Sequence, residues 1–301
     1  MPWIPIIISA YLIFAVTSLV DNYLLLGAPN PKSYSFYVGV LGILVLVLIP
    51  FIGFSIPPGG QIILALSAGV FYILAMFWFY FGLEYYTPSQ IVPVIGALTP
   101  IFTFILINIF LKTGKSLSIL GIIALAILIG GSFLASFKKG KKISFSSLKI
   151  AALSAFLFSL TFLLSKEVYE NQPFWSGFIW MRIGGFFAGF CFLFTKEVRR
   201  EIFQKKFTFK KRTGLIFILN QGAGAGGFIL QNFAIALAGL IYLPFINALL
   251  GVQFAAMFFI TFFLIKKFPK FSEEKFTPSL LSQKIASIVL IAGGLLLFYL
   301  L

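Results

Sequence analysis

The sequence predicts an all-α polytopic membrane protein, with ten transmembrane helices arranged as two inverted five-helix repeats. Composition carries the first part of that expectation. Of 301 residues, 60% are hydrophobic and only 10% are charged, with a mean hydropathy of +1.05; soluble domains carry about 25% charged residues. Span length carries the second part, because apolar stretches of about 20 residues, enough to cross hydrocarbon, recur along the whole chain. Internal repetition carries the third. Pro93, Ala97 and Leu98 return as Pro244, Ala248 and Leu249, 151 positions later, with Gly251 in the place of Pro100.

In order, the first predicted span covers roughly 3–22 and the second roughly 34–54, ending at the turn Pro57-Pro58-Gly59-Gly60. The third covers roughly 61–84. The fourth, roughly 88–111, opens on Pro88, where a missing N–H costs nothing. The fifth covers roughly 117–136. A basic linker, 138–147, containing Lys138, Lys139, Lys141 and Lys142, then divides a first repeat (1–137) from a second (148–301). The second repeat holds spans at roughly 148–168, 174–195, 214–238, 240–265 and 284–301.

Two more anchors support the division. Ser9-Ala10-Tyr11-Leu12 recurs as Ser154-Ala155-Phe156-Leu157, and Ile129-Gly130-Gly131 as Ala292-Gly293-Gly294. Because five is odd, such halves face opposite ways in the bilayer, the plan of many carriers. Lys and Arg set the orientation. Nineteen lie in or beside loops that follow odd-numbered spans, from Lys32 to Lys284, and three (Lys112, Lys115, Lys166) beside the others. That asymmetry puts the odd loops in the cytoplasm and both termini outside, in the plasma membrane.

Composition also excludes several functions. There is no histidine, and the single cysteine, Cys191, can form no intrachain disulfide. No metal site, cofactor or catalytic constellation is expected. The net charge of +15 resides in loops, where it meets lipid rather than nucleic acid. The opening Met1-Pro2-Trp3-Ile4-Pro5 lacks a basic n-region and a small-residue cleavage site, so no cleavable signal peptide is expected.

The fourth span, entered through Tyr85-Tyr86-Thr87-Pro88-Ser89-Gln90 and running from Pro93 to Pro100, resembles the EamA-like transporters of the drug/metabolite transporter superfamily. So does the ninth, Asn247-Ala248-Leu249-Leu250-Gly251-Val252-Gln253-Phe254, and the likeness extends over the chain. It implies two five-helix halves and a solute among amino acids, related metabolites or amphipathic drugs. It also implies cytoplasmic termini, opposite to the charge count. Two positions depart from the family pattern: Leu111-Lys112-Thr113-Gly114-Lys115 has no Glu after span four, and Asp21-Asn22 replaces a basic residue after span one.

Among individual residues Arg182 stands out, well inside span seven. An arginine at depth costs roughly 2.5–3.5 kcal/mol to insert and usually faces the bundle interior. It is a candidate counter-charge for an anionic solute; the alternatives are snorkelling to the interface or pairing with Asp21 or Glu84. Pro93 and Pro100 in span four, and Pro244 and Gly251 in span nine, weaken the helical ladder and are expected to break both spans at a cavity. Asn247 and Gln253 flank the Gly251 break and are candidate solute contacts. Gln231, beside Asn232 in span eight, fits either a solute contact or interhelical bonding.

Trp78 and Tyr80 are candidates for lining a pocket, or are packed or lipid-facing rings; Tyr85 and Tyr86 read as interfacial belt residues. Glu84 is the candidate coupling carboxylate. Gly222-Ala223-Gly224-Ala225-Gly226-Gly227 lacks the strand and Lys-Ser/Thr ending of a nucleotide loop, and reads as a close helix crossing. The function expected is secondary transport of a small organic metabolite by alternating access, without ATP hydrolysis. The partners are the solute and membrane lipid; oligomeric state is open. A passive channel or lipid scramblase is the alternative, a membrane-embedded enzyme a more distant one.

Overall fold

In the computed structural model, which describes residues 1–24, 30–110, 117–137, 144–204, 211–267 and 277–300, regular structure is helical throughout. Lys112, Lys115, the linker lysines Lys138, Lys139, Lys141 and Lys142, and the basic residues Lys205, Lys206 and Lys210 lie outside the described residues. The first half contains α1 (Trp3–Leu24), α2 (Pro31–Gly42, continued as a 3₁₀ segment Ile43–Phe51), α3 (Gly59–Tyr85), α4 (Pro88–Phe110) and α5 (Ile119–Ser136). The second contains α6 (Phe145–Asn171), α7 (Phe174–Cys191), a short α8 (Lys196–Gln204), α9 (Lys211–Leu237), α10 (Leu243–Ala248), α11 (Leu250–Lys267) and α12 (Pro278–Tyr299). This is an integral membrane protein: among the described residues nine helical stretches are long and apolar enough to cross a bilayer.

The stretch expected as span eight, α9, is not among the nine. It carries Asn220-Gln221 and Gln231-Asn232 around a run of Gly and Ala, and these amides interrupt its apolar run. It still packs in the bundle, against α1 and beside α6 and α7.

Several helices begin earlier than the apolar stretches suggest, because caps, not hydrophobicity, set a helix start. Ser144 accepts from the amide of Ser147 at 3.1 Å and starts α6 inside the expected linker. Thr277 accepts from Leu280 at 3.3 Å and starts α12, with Pro278 in its first turn. The α3–α4 turn is closed by Gln90, whose side-chain carbonyl accepts from the amide of Thr87 at 3.1 Å and from its hydroxyl at 3.0 Å.

Span four is not broken. Helix α4 runs continuously through Pro93 and Pro100, both buried. Proline removes one amide and frees the carbonyl four residues back without ending the helix when neighbours hold the segment. Here α5, α6 and α10 enclose it, and Ser159 of α6 donates to the Thr99 carbonyl at 2.9 Å. Span nine is interrupted, at Leu249 between α10 and α11.

Several helix pairs pack antiparallel, among them α2–α7, α4 with α10–α11, and α5–α12. Along α2 and α7, Gly39 meets Gly185 and Gly189, while further down the amide of Ser55 donates to the hydroxyl of Ser176 at 2.9 Å. Along α4 and α10–α11, Thr103 meets Asn247 and Gly96 meets Leu250 and Phe254. Along α5 and α12, a Cβ added at Gly131 would lie 2.9 Å from Ile291 Cγ1, and one at Gly294 2.8 Å from Leu128 Cγ. Helix α3 lies against α6 and α7, and α9 against α1. The largest buried cluster joins Trp3, Ile7 and Tyr11 of α1 to Phe245, Ile246 and Leu249 and to Phe298 of α12.

Candidate functional site

Arg182 lies in the middle of α7, with Phe178 one turn earlier on the same face. The helix can bring this face close to α3 because two glycines meet there. A Cβ at Gly69 would overlap the carbonyl of Met181, and one at Gly184 the backbone of Leu66. Backbone-to-backbone contact of this kind is what small residues permit between membrane helices. It carries Tyr72, one turn beyond Gly69, over the arginine.

The result is a cage of rings. The guanidinium carbon stands 4.0 Å from the centre of the Phe228 ring on α9, 5.1 Å from Tyr72 and 5.4 Å from Phe178. On the α2 side Gly42 leaves room for it: an added Cβ there would lie 3.5 Å from Nη1. Tyr169 of α6 is a further electrostatic neighbour, its hydroxyl donating to Asn232 Oδ1 at 2.9 Å. Arg182 makes no salt bridge or hydrogen bond among the described residues, and its Nε is buried without an acceptor.

Lys166, a buried cation, differs. It donates to the Ala236 carbonyl at 3.0 Å and pairs with Glu170 at 3.4 Å. Glu84 does not compensate Arg182. It is exposed near the end of α3, twelve residues beyond Tyr72, ~18 Å along the helix axis. The side chain of Asp21 lies outside the described part.

The amide candidates gather elsewhere, around α1. Asn247 is buried and donates to Thr103 Oγ1 at 2.8 Å, while its Oδ1 has no partner. Gln231 lies beside the hydroxyl of Tyr11, which donates to the Ile246 carbonyl at 2.8 Å. Gln253 donates to Ser18 at 3.3 Å. Pro244 is buried in α10, and Gly251 sits where α11 presses on Ser132 of α5 and Ile291 of α12. These groups hold α1, α4, α5 and α10–α11 together and do not contact Arg182.

Trp78 and Tyr80 are also apart from the cage. Trp78 packs edge-on against Phe77 and Phe81, and Tyr80 lies 3.8 Å from the ring of Tyr34. The glycine run on α9 is not a close crossing along its length. Added Cβ atoms at Gly222, Gly224 and Gly226 would meet nothing within 4 Å, and only Gly227 touches α1, at Phe14 and Ile13. Close crossings lie instead at Gly69, Gly184, Gly39 and Gly189, signalled in the sequence by Gly185-Phe-Phe-Ala-Gly189 and Ala65-Leu-Ser-Ala-Gly69. Of the cage, Phe178 could be found by its spacing from Arg182; Phe228 had no local signal. Among the described residues no group of three His, Cys, Asp or Glu side chains could hold a metal ion.

Residues 1–137 match the model of the EamA-like transporter family, the family the fourth and ninth spans resemble. Among solved structures, a protein known from its crystal structure has a TM-score of 0.67 at 15% identity, over 99% of this chain and 96% of that one. That likeness shows a shared fold over nearly the whole chain. No curated protein matches the sequence.

Proposed function

We propose that this membrane protein is a secondary transporter of a small organic metabolite, such as an amino acid, a related metabolite or an amphipathic drug. It works by alternating access, without ATP hydrolysis. The observation that carries the reading is the antiparallel packing of α2 on α7, α4 on α10–α11 and α5 on α12. In a chain built of five-helix repeats at 1–137 and 148–301, with α9 as the eighth span, each of these is a helix against its own counterpart. Counterparts meet antiparallel when the halves are inverted about an axis in the membrane plane. The reciprocal contacts of Gly131 with Ile291 and of Gly294 with Leu128 fit that axis.

The same symmetry makes α3–α7 equivalent to α9–α2. The first pair is in backbone contact; the second makes no comparable contact among the described residues. An inverted-repeat carrier resting in one of its two states has this inequality, and exchanging the two packings produces the other state. The charge count places the odd loops in the cytoplasm and the termini outside the plasma membrane. In support, Lys32 at the start of α2 and Glu197 at the start of α8, which follow spans one and seven, pair at 2.8 Å at one end of the bundle.

Counterflow in proteoliposomes tests the reading. Vesicles are loaded with a mixed metabolite pool, and uptake of labelled amino acids, organic acids and amphipathic cations is followed. Saturable, trans-stimulated uptake is expected; unsaturable leak would replace the carrier by a channel.

A further inference from the structure

The cage around Arg182 has a property that a structural arginine does not share. Buried cations in membrane helices are ordinarily satisfied by carboxylates or backbone carbonyls, as Lys166 is. Among the described residues Arg182 has ring faces only: Phe228, Tyr72 and Phe178, within 4.0–5.4 Å of its guanidinium carbon. Cation–π contacts act on the flat faces of the group. They do not use its N–H donors, which lie in the guanidinium plane and match the two oxygens of a carboxylate.

We infer that Arg182 is the solute site of this carrier and that it takes the carboxylate of an organic monoanion whose apolar or aromatic body rests against Tyr72, Phe178 and Phe228. This rests on the transport reading and narrows it. A cationic amphipath would meet an uncompensated positive charge. A zwitterionic amino acid would bring its ammonium to rings that already face a cation, with no acidic side chain among Arg182's described neighbours to receive it. A carboxylic acid without an amine satisfies the arginine and leaves no charge over. The location suits a carrier, because the cage draws on α3, α7 and α9 and is flanked by α2 at Gly42. Those four helices are among the ones whose packing differs between the halves.

Three probes of one shape separate charge from shape: phenylacetate, phenylacetamide and 2-phenylethylammonium, titrated calorimetrically into the detergent-solubilised full chain. Phenylacetate is expected to bind saturably, with the amide and the ammonium weaker by about tenfold or more, the usual worth of a charge-assisted contact. Arg182→Met is expected to abolish the preference for the acid, and Arg182→Lys to keep it with weaker binding. Equal binding of acid and amide by the native chain, or no binding of phenylacetate, overturns the inference, and neither result depends on a variant folding. A preference for the acid that persists in Arg182→Met overturns it as well. Counterflow distinguishes the two readings. If neutral or cationic solutes exchange while phenylacetate does not bind, transport stands and the anion site falls. If phenylacetate binds through Arg182 and nothing exchanges, the site stands and transport falls.

Discussion

The hydroxyl of Ser132 on α5 accepts a hydrogen bond from the amide of Gly251 at 3.1 Å, 119 residues further along the chain. The same hydroxyl donates to the carbonyl of Ala248. It therefore bridges the interruption of span nine, supplying partners to two backbone groups near the break. A buried backbone group left without a partner costs about 1–3 kcal/mol. Ser132→Ala is expected to destabilise the protein by roughly 2–4 kcal/mol on that basis, read as a lowered thermal midpoint in detergent. An unchanged midpoint would mean that the break holds itself.

The glycines divide into two classes with opposite expected responses. At Gly184 an added methyl overlaps the Leu66 backbone, which cannot move without parting α3 from α7. Gly184→Ala is expected to cost about 1–3 kcal/mol as overpacking. At Gly224 a methyl meets nothing within 4 Å. Gly224→Ala is expected to stabilise by roughly 0.5–1 kcal/mol, the ordinary gain of alanine over glycine inside a helix. Thermal unfolding of the two variants side by side makes the comparison.

The two intramembrane cations should also respond in opposite directions. Lys166→Met leaves the Ala236 carbonyl without its donor and Glu170 without its pair, and is expected to lower stability by about 1–3 kcal/mol. Arg182→Met orphans no hydrogen-bond partner among the described residues and replaces a costly charge with an apolar chain. It is expected to raise the thermal midpoint while removing function.

At the bundle end, the hydrogen bond from Lys32 holds the Glu197 carboxylate below its usual range. A depressed carboxylate lends stability above its ordinary pKa and loses it as pH falls through the lowered value. Protection of the α8 amides, measured against their intrinsic exchange rate at each pH, is expected to fall on that acid side in the native chain. Glu197→Gln is expected to show the lower protection already at neutral pH, with no further acid response. Equal protection in both at neutral pH would remove the tether.

The sequence made the spans legible because bilayer thickness fixes a length that composition reveals, and nine stretches meet it among the described residues. It misplaced helix starts where hydroxyl caps at Ser144 and Thr277 lie upstream of the apolar run. Pro93 and Pro100 read as a break, yet α4 continues, because flanking helices hold its backbone. The run Gly222–Gly227 read as a crossing, yet a crossing needs a partner, and glycine content cannot say where one stands. Arg182 was legible from its depth. Its cage was not, since Tyr72 and Phe228 reach it through contacts with α3 and α9 over long sequence separations.

Alternating access in this fold requires α3 and α7 to part for solute to cross. Ile73 Cγ1 on α3 lies 3.5 Å from the position of a Cβ at Gly185 on α7, one C–C bond of about 1.5 Å short of the Ile73 Cβ, so cysteines at the two positions face each other across the α3–α7 contact. The measurement is counterflow by Ile73→Cys/Gly185→Cys, with Cys191→Ser, oxidised and then reduced in the same proteoliposomes. Alternating access predicts that the cross-linked protein exchanges nothing and that reductant restores exchange. Exchange at the same rate with the cross-link intact would contradict it.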